Sequence, residues 1–295
     1  MSAIKSVVTF GLLISGIVVI GSPILAQLTQ FALSDESASH IVLIPLVTAA
    51  LIYQQRKQIF AVVKTDYSIG LPLFGAGATL LLAVRLGLLA GVTAVLTVSV
   101  AALVILAIGA FAMVFGRLAA RAALFPLLFL AAAIPIPDQL RNVVIDLLKR
   151  SSTEVVAVLF RATATPFHRD GFVFDLPNLA IEVADACSGL RSSIALTLTS
   201  LLGGYTFLQS PIARSALLLA VLPVTIVKNA IRIVTLSLLA IHVDPAFITG
   251  RLHHDGGVAF FLMALALMAP WLVFLRRLEK GRWTRTDTAA KAVIA

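Results

Sequence analysis

Cysteine is almost absent from this 295-residue chain, and Cys187 is the only one. One cysteine cannot form an internal disulfide, so this thiol has no structural bridge to make. Charged residues are also scarce, at 13% of the chain against about 25% in soluble proteins. Since 60% of the residues are hydrophobic, the composition excludes an ordinary soluble domain.

Long apolar runs recur along the whole chain, and their continuity is typical of membrane helices, not of alternating barrel strands. The sequence therefore predicts an all-α, polytopic membrane bundle, forming one integral membrane domain over residues 1–295. Eight spans are predicted: Ser6–Ala26, His40–Tyr53, Ser68–Ala90, Val92–Phe115, Ala122–Ile136, Cys187–Leu208, Ser215–Ile231 and Val258–Leu275. A cleaved signal peptide is the alternative for the first run, but its length and the many later spans favour an uncleaved helix.

The net charge of +9 comes from short basic clusters beside the apolar runs. This distribution is typical of membrane topology and of contact with anionic headgroups, not of a nucleic-acid-binding face. We therefore expect membrane lipids as partners, and no nucleic acid.

The basic clusters also predict the topology, because lysine and arginine mark cytoplasmic loops. The clusters are Arg56, Lys57 and Lys64; Arg117 and Arg121; and the tail residues Arg276, Arg277, Lys280, Arg282 and Arg285. Threading the spans between them places both termini in the cytoplasm and residues 137–186 outside it.

This extracytoplasmic segment is predicted to hold two elements. Asp138–Thr163 has the apolar spacing of an amphipathic helix lying along the membrane interface. Gly171–Leu176 and Leu179–Val183, separated by a proline and an asparagine, predict a short β-hairpin that leads towards Cys187. Residues 168–170 are interpreted as a solvated turn.

Three reactive side chains fall near the outer face in this topology: Cys187 opens the sixth span, Arg232 closes the seventh and His253 precedes the eighth. A nearby cation lowers the pKa of a thiol and makes it a better nucleophile. Histidine can shuttle a proton to a leaving amine, and a guanidinium can stabilise an oxyanion. The three together suit acyl transfer through a thioester.

Each of these residues also has a simpler interpretation. A lone cysteine in a membrane helix is most often a small apolar filler. Arg232 can be a snorkelling side chain, although charge within a span is a functional candidate by default. His253 or its neighbour His254, taken alone, can be an interfacial polar residue.

Several motifs resemble the exosortase/archaeosortase family of membrane cysteine transpeptidases. They are the Pro-Ile-Pro at 135–137, the Leu-Pro-Asn at 176–178, the Glu-Val at 182–183, the Ala-Cys-Ser-Gly-Leu-Arg-Ser at 186–192, the Asn-Ala-Ile-Arg-Ile at 229–233 and the histidine motif at 252–257. The chain departs from the family at Val258, where tryptophan is common. The doubled histidine also leaves two assignments: His253 fits the four-residue step to Gly257, and His254 is the alternative.

The resemblance implies a catalytic core over about residues 134–275, with Cys187, Arg232 and His253 catalytic. Arg191, Asn229 and Ser188 are assigned to substrate binding or to support of the catalytic groups. The implied partner is an exported protein whose PEP-CTERM-like C-terminal signal comprises a short motif, a membrane helix and a basic end. The implied location is the bacterial inner membrane, with the active site outside the cytoplasm.

Neither a cofactor nor a metal is expected, because no set of ligands has convincing spacing. A transporter is the main alternative, with Arg232 and His253 as solute-binding charges. A non-catalytic component of an export or polysaccharide system is another. The recognition motif, the acceptor nucleophile, transfer versus hydrolysis and the oligomeric state all stay open.

Overall fold

The computed structural model describes residues 3–88, 92–177, 179–184, 189–249 and 257–294. The chain divides into two compact units, Met1–Arg141 and Asn142–Ala295. Of the predicted site residues that lie within the described ranges, Arg191, Asn229 and Arg232 all belong to the second unit. The prediction of one integral membrane domain is not tested by this division and stays a prediction.

Helices make up the regular structure of the first unit. Its elements are α1 (Ala3–Ser34), a 3₁₀ helix (Glu36–Leu43), α2 (Ile44–Gln54), α3 (Arg56–Ile59), α4 (Tyr67–Arg85), α5 (Val92–Ala122), α6 (Leu124–Phe129), a second 3₁₀ helix (Leu130–Ala133) and the start of α7 (Asp138–Ala162).

Helices α4 and α5 pack closely because glycines remove side chains from their interface. A Cβ atom added at Gly77 would lie 2.9 Å from the backbone nitrogen of Leu106, and one at Gly109 would lie 2.5 Å from the backbone nitrogen of Phe74. Gly75, on α4, has no atom within 4 Å of the same position. Small residues at an interface let two membrane helices bring their backbones together.

The second unit combines a small sheet with helices. After the remainder of α7 come β1 (His168–Asp170), β2 (Val173–Leu176), β3 (Leu179–Glu182), α8 (Leu190–Phe207), α9 (Pro211–Leu219), α10 (Val221–His242), α11 (Ala246–Thr249) and α12 (Gly257–Ile294).

The sheet is antiparallel with the strand order β1-β2-β3, and Phe174 on β2 pairs with Ile181 on β3. The predicted hairpin is therefore confirmed. Residues 168–170 form β1, so their interpretation as a solvated turn was wrong. Arg169 on this strand donates a 2.8 Å hydrogen bond to the Glu154 carboxylate on α7, and that bond lowers the pKa of Glu154. This partner holds the segment as an edge strand.

Helix α7 confirms the helix predicted over Asp138–Thr163. Its first half leaves Leu140, Val143 and Leu147 at least 48% exposed, whereas its second half buries Val156 and Phe160 completely. The exposed apolar stripe suits the predicted position along the membrane interface, and that position stays a prediction.

One apolar core joins the sheet to α7 and α10. Val156 and Phe160 from α7 pack with Phe174 from β2, Val183 beyond β3 and Ala230 from α10, and each of these five residues is 0% exposed. Because Val183 lies in this core, the chain that leaves β3 towards the cysteine is fixed against α10.

A second core joins α8, α9 and α12 through residues such as Leu196, Leu217 and Met268. At one end of this core, the Glu279 carboxylate of α12 accepts hydrogen bonds from the backbone nitrogens of Gln209, at 3.1 Å, and Ser210, at 2.7 Å. These nitrogens lie just before α9, so the carboxylate caps the start of that helix.

The multi-pass membrane fold is confirmed, with six helices in the described ranges that are long and apolar enough to cross a membrane. They are Ile4–Ser34, Glu36–Gln54, Tyr67–Arg85, Val95–Ala122, Pro211–His242 and Gly257–Lys280. The all-α class holds, while the number of spans differs from the eight predicted.

Two predicted spans fall short of these criteria. Ala122–Ile136 gives only the short apolar helix Leu124–Ala133, because Pro135 pushes Ile134 into an extended conformation, with φ −75° and ψ 121°. Cys187–Leu208 gives α8, which has 18 residues but includes Arg191 and many hydroxyl and glycine residues. Its composition, not its length, leaves it below the hydropathy of a candidate span.

The seventh predicted span is longer than expected. It comprises α9 and α10, which together form the candidate span Pro211–His242. Arg232 was predicted to close this span, but α10 continues to His242. Residues 233–242 therefore extend the helix.

Candidate functional site

The predicted site residues divide into two sets. Cys187, Ser188, His253 and His254 lie outside the described residues. Arg191 is in the first turn of α8, and Asn229 and Arg232 are on α10. The site geometry therefore comes from the two helices that carry the second set.

Asn229 is the most deeply buried predicted site residue in the described part of the chain, at 0% exposure. Its Nδ2 atom donates to the hydroxyl oxygen of Ser152 on α7 at 3.3 Å, and Ser152 is also 0% exposed. A buried polar group is costly unless it is hydrogen-bonded. The pair therefore links α10 to α7 at a fixed register.

The turn before α8 lies close to the same part of α10. Gly189, the residue before the helix, has φ 81° and ψ 14°, a left-handed conformation that favours glycine. A Cβ atom there would lie 3.4 Å from Asn229 Cγ and 3.6 Å from Lys228 Nζ. The start of α8 thus lies one helical turn before Arg232 along α10.

In the first turn of α8, the Gly189 carbonyl oxygen accepts two hydrogen bonds. The Ser193 backbone nitrogen and the Ser192 hydroxyl each donate to this oxygen at 2.9 Å. Lys228 Nζ on α10 in turn donates to Ser192 Oγ. The turn is therefore bonded to its own helix and, through Ser192, to α10.

Lys228 is a site residue that the sequence analysis did not single out. It is 3% exposed although it lies within the span Pro211–His242. The signal in the sequence was a lysine four residues before Arg232 in an otherwise apolar run, since intramembrane charge marks functional sites. Residues three or four positions apart share a helix face, so Lys228, Asn229 and Arg232 lie on one side of α10.

The two arginines differ in environment. Arg232 is half-buried on α10, whereas Arg191 is exposed in the first turn of α8. Arg232 and Lys228 place two cationic side chains close together on one face, and such like charges repel unless an anion lies between them. Lys228 and Arg232 therefore give this face of α10 a positive charge.

No set of three or more histidine, cysteine, aspartate or glutamate side chains within the described ranges could hold a metal ion. The expectation of no metal and no cofactor stays a prediction, since the histidines at 253 and 254 lie outside those ranges.

A family model described as transmembrane exosortase matches residues 32–270 of the chain. No curated protein and no solved structure matches it at a significant level. The matched region covers five of the six candidate spans in whole or in large part, together with the sheet. It also contains each predicted site residue.

Proposed function

This chain belongs to the transmembrane exosortase family, and we propose that it is a cysteine transpeptidase. It cleaves the C-terminal sorting signal of exported proteins at the outer face of the membrane. The reaction passes through a thioester on Cys187, and an acceptor nucleophile then takes the acyl group. Arg232 and His253 are its catalytic partners, with His254 as the alternative histidine.

The observation that carries this proposal is the contact of the Gly189 turn with α10. Cys187 precedes Gly189 by two residues, and two peptide steps keep their Cα atoms within about 7.6 Å of each other. Gly189 itself lies against Asn229, three residues before Arg232. Covalent connection and helix packing thus support a cysteine and an arginine acting at one site.

On the other side of the cysteine, the core holds the chain as well. The Val183 backbone nitrogen donates to the Phe172 carbonyl oxygen at 3.0 Å, beyond the end of β3. Only residues 185–188 lie between Ala184, which follows Val183, and Gly189, which precedes α8. Both attachments support a nucleophile presented on a short connection beside α10.

In the proposed mechanism, the Cys187 thiolate attacks the scissile carbonyl carbon, and the π electrons of the carbonyl bond move to the carbonyl oxygen. Arg232 stabilises this oxyanion by charged hydrogen bonds. The intermediate then expels the leaving amine, which takes a proton from His253 as the carbon–nitrogen bond breaks. The resulting thioester reacts with the acceptor nucleophile, whose proton passes to His253, and the thiolate is released.

The proposed substrate is an exported protein with a C-terminal sorting signal, made of a short motif, a membrane helix and a basic end. Its membrane helix would lie beside the enzyme within the bacterial inner membrane, with its basic end in the cytoplasm. Both termini of the enzyme are then cytoplasmic, as its basic clusters predict.

Mass spectrometry of a candidate substrate's new C-terminus tests the proposal directly. We expect a defined cleavage product with the wild-type enzyme and none with Cys187→Ala or Arg232→Ala. His253→Ala and His254→Ala, compared in the same cells, identify the histidine that the reaction needs. Lys57→Ala, an exposed change in the first unit, serves as the matched control. Processing that survives Cys187→Ala would contradict the thioester mechanism.

A further inference from the structure

Strand β3 lies at the edge of the small sheet. Among the strands that the structure describes, it pairs with β2 alone, because the strand order is β1-β2-β3. An edge strand presents a row of backbone N–H and C=O groups to which another extended chain can bind. The question is therefore which groups of β3 point outwards and what they fit.

The hydrogen-bond register identifies the outward groups. The Val183 backbone nitrogen donates to the Phe172 carbonyl oxygen at 3.0 Å, so these two residues form a hydrogen-bonded antiparallel pair. Hydrogen-bonded pairs alternate with non-hydrogen-bonded pairs along such a ladder. Ala180 and Glu182 lie an odd number of residues before Val183 in the same register, so they belong to the second kind. Their N–H and C=O groups point away from β2.

Three of these outward groups have no hydrogen-bond partner within the described ranges. They are the N–H and C=O groups of Ala180 and the N–H group of Glu182, since the Glu182 carbonyl oxygen accepts from the Ala184 nitrogen at 2.9 Å. Both Ala180 and Glu182 are exposed. We call these three groups the free edge of β3. A donor, an acceptor and a second donor along one extended strand match the backbone of an extended peptide.

One side of the free edge is apolar. Leu179 and Ile181 are half-buried and pack against the core that joins the sheet to α7 and α10. Side chains alternate between the two faces of a strand, so a strand added beside β3 places every second side chain next to this apolar border. The free edge therefore fits an extended peptide with apolar side chains at alternate positions.

The other side of the free edge is acidic. Asp170 and Glu182 both lie opposite Val173 in the sheet. Asp175 is two residues from Val173 along β2 and so lies on the same face. All three acidic residues are exposed. Two copies of the chain joined through β3 would bring two such faces together, and like charges across a sheet are destabilising. This charge disfavours a second copy at the free edge.

We propose that the free edge of β3 binds an extended peptide as a fourth strand of the sheet. The identity of that peptide rests on the proposed function: it is the short motif that precedes the membrane helix of the exported substrate. Main-chain hydrogen bonds to Ala180 and Glu182 hold the motif, and the apolar border at Leu179 and Ile181 selects its alternate side chains.

The test measures peptide binding without cleavage. The full-length Cys187→Ala protein in detergent is titrated against a fluorescent synthetic peptide, and binding is followed by fluorescence anisotropy. The peptide contains the short motif of a candidate substrate with its flanking residues, about ten residues in all. A series of the same peptide carries one methylated backbone nitrogen at each position in turn.

Edge pairing predicts a period of two in the methylated series. A methyl group on a nitrogen that faces β3 removes a donor or obstructs strands that lie about 4.8 Å apart, whereas one on the intervening nitrogens points away. We expect binding at least about tenfold weaker at alternate positions of the paired stretch, and within about threefold of the unmodified peptide between them.

Ala180→Pro tests the same contact from the side of the protein. It removes an outward N–H group and keeps the bonds from β3 to β2, because proline is tolerated where the N–H of an edge strand points away from its sheet. We expect peptide binding at least about tenfold weaker. Ala180→Val keeps the N–H group and is the matched control, with binding within about threefold of the parent protein.

Three results would overturn the proposal. They are the absence of saturable peptide binding, equal sensitivity to methylation at every position, and unchanged binding in Ala180→Pro. An oligomer that dissociates on Ala180→Pro, seen by analytical ultracentrifugation in detergent, would assign the edge to a second copy and overturn it as well. If Ala180→Pro does not fold, the methylated series decides, because it leaves the protein unchanged.

Failure of the proposed function gives a different result. Substrate processing that persists in Cys187→Ala would refute the thioester mechanism and leave the binding pattern of the peptide as measured. Loss of processing in Cys187→Ala, combined with a methylation series without a period of two, would refute edge pairing alone.

Discussion

At the scale of single residues, the site depends on polar atoms that α10 buries within the membrane region. Lys228 and Asn229 are 3% and 0% exposed, and each has a hydroxyl partner on a different neighbouring helix, Ser192 on α8 and Ser152 on α7. Two adjacent residues on α10 thus fix the register of two other helices. A hydrogen bond of this kind contributes about 1 kcal/mol to stability in a membrane protein.

Gly189 provides a test of the turn itself. Gly189→Ala forces a side chain into a left-handed conformation, which costs about 1–2 kcal/mol, and places a Cβ atom 3.4 Å from Asn229. We expect substrate processing to fall by at least tenfold, because relief of the backbone strain shifts the turn that leads to Cys187. Processing is measured by the yield of the cleaved product in cells.

Gly171→Ala is the matched control for this change. Gly171 also has a positive φ, of 59°, but has no atom within 4 Å of an added Cβ. The two variants should therefore lose similar thermal stability, whereas only Gly189→Ala should lose processing. Equal processing in both would show that the turn is not part of the site.

The sequence was least informative about the contacts of single side chains. Arg232 was identified from its charge at the end of a predicted span and Asn229 through a family motif, while Lys228 beside them was not given a role. Its importance depends on a hydroxyl 36 residues away, and no local pattern in the sequence encodes that contact. The placement of Cys187, Ser188 and the two histidines stays a prediction.

At the scale of secondary-structure elements, the long apolar runs predicted most helices because a membrane span needs about 20 apolar residues. The errors occurred where composition and backbone chemistry disagreed. Residues 122–136 are apolar enough for a span, but the chain leaves the helix at Ile134, before Pro135. Strands β2 and β3 followed from alternating residues around a turn. Strand β1, which was not predicted, is held by a contact with α7.

The packing of α4 on α5 gives a prediction at this scale. Gly77→Leu places a side chain where an added Cβ would already lie 2.9 Å from the Leu106 backbone nitrogen, so the helices must separate. We expect a loss of about 1–3 kcal/mol of stability. The loss is measured as a lower melting temperature of the detergent-solubilised protein.

Gly75→Leu, on the same helix, is the comparison for that experiment. An added Cβ at Gly75 meets no atom within 4 Å, and the new side chain can lie in the detergent or lipid. Its melting temperature should stay close to that of wild type. A similar decrease in both variants would mean that the added leucine side chain itself, and not the close packing of α4 on α5, is responsible.

At the scale of the whole molecule, the predicted topology can be tested with the same single thiol. In a Cys187→Ala background, Asp170→Cys places a thiol in the segment predicted outside, and Lys57→Cys places one in a predicted cytoplasmic loop. A membrane-impermeant maleimide should label the first in intact cells and the second only after permeabilisation. The reverse pattern would contradict the positive-inside assignment.

The class of the molecule followed from the sequence with little ambiguity, since composition alone excluded a soluble domain. The family was also identified from short motifs and agrees with the model that matches residues 32–270. The ends of the spans did not follow, because a hydropathy pattern does not show where a helix stops. The division into two units depends on contacts between distant residues, which no local pattern records.

The bond between Glu279 and the start of α9 has a mechanical consequence for the opposite end of α12. About 33 Å of helix separates Glu279 from Gly257, and the carboxylate holds two backbone nitrogens at one end of that length. A helix anchored at one end transmits rotation and displacement along its axis to the other. The position and angle of the start of α12, three residues after the histidine pair in sequence, therefore depend in part on a contact at the far end of the helix, beyond Pro270.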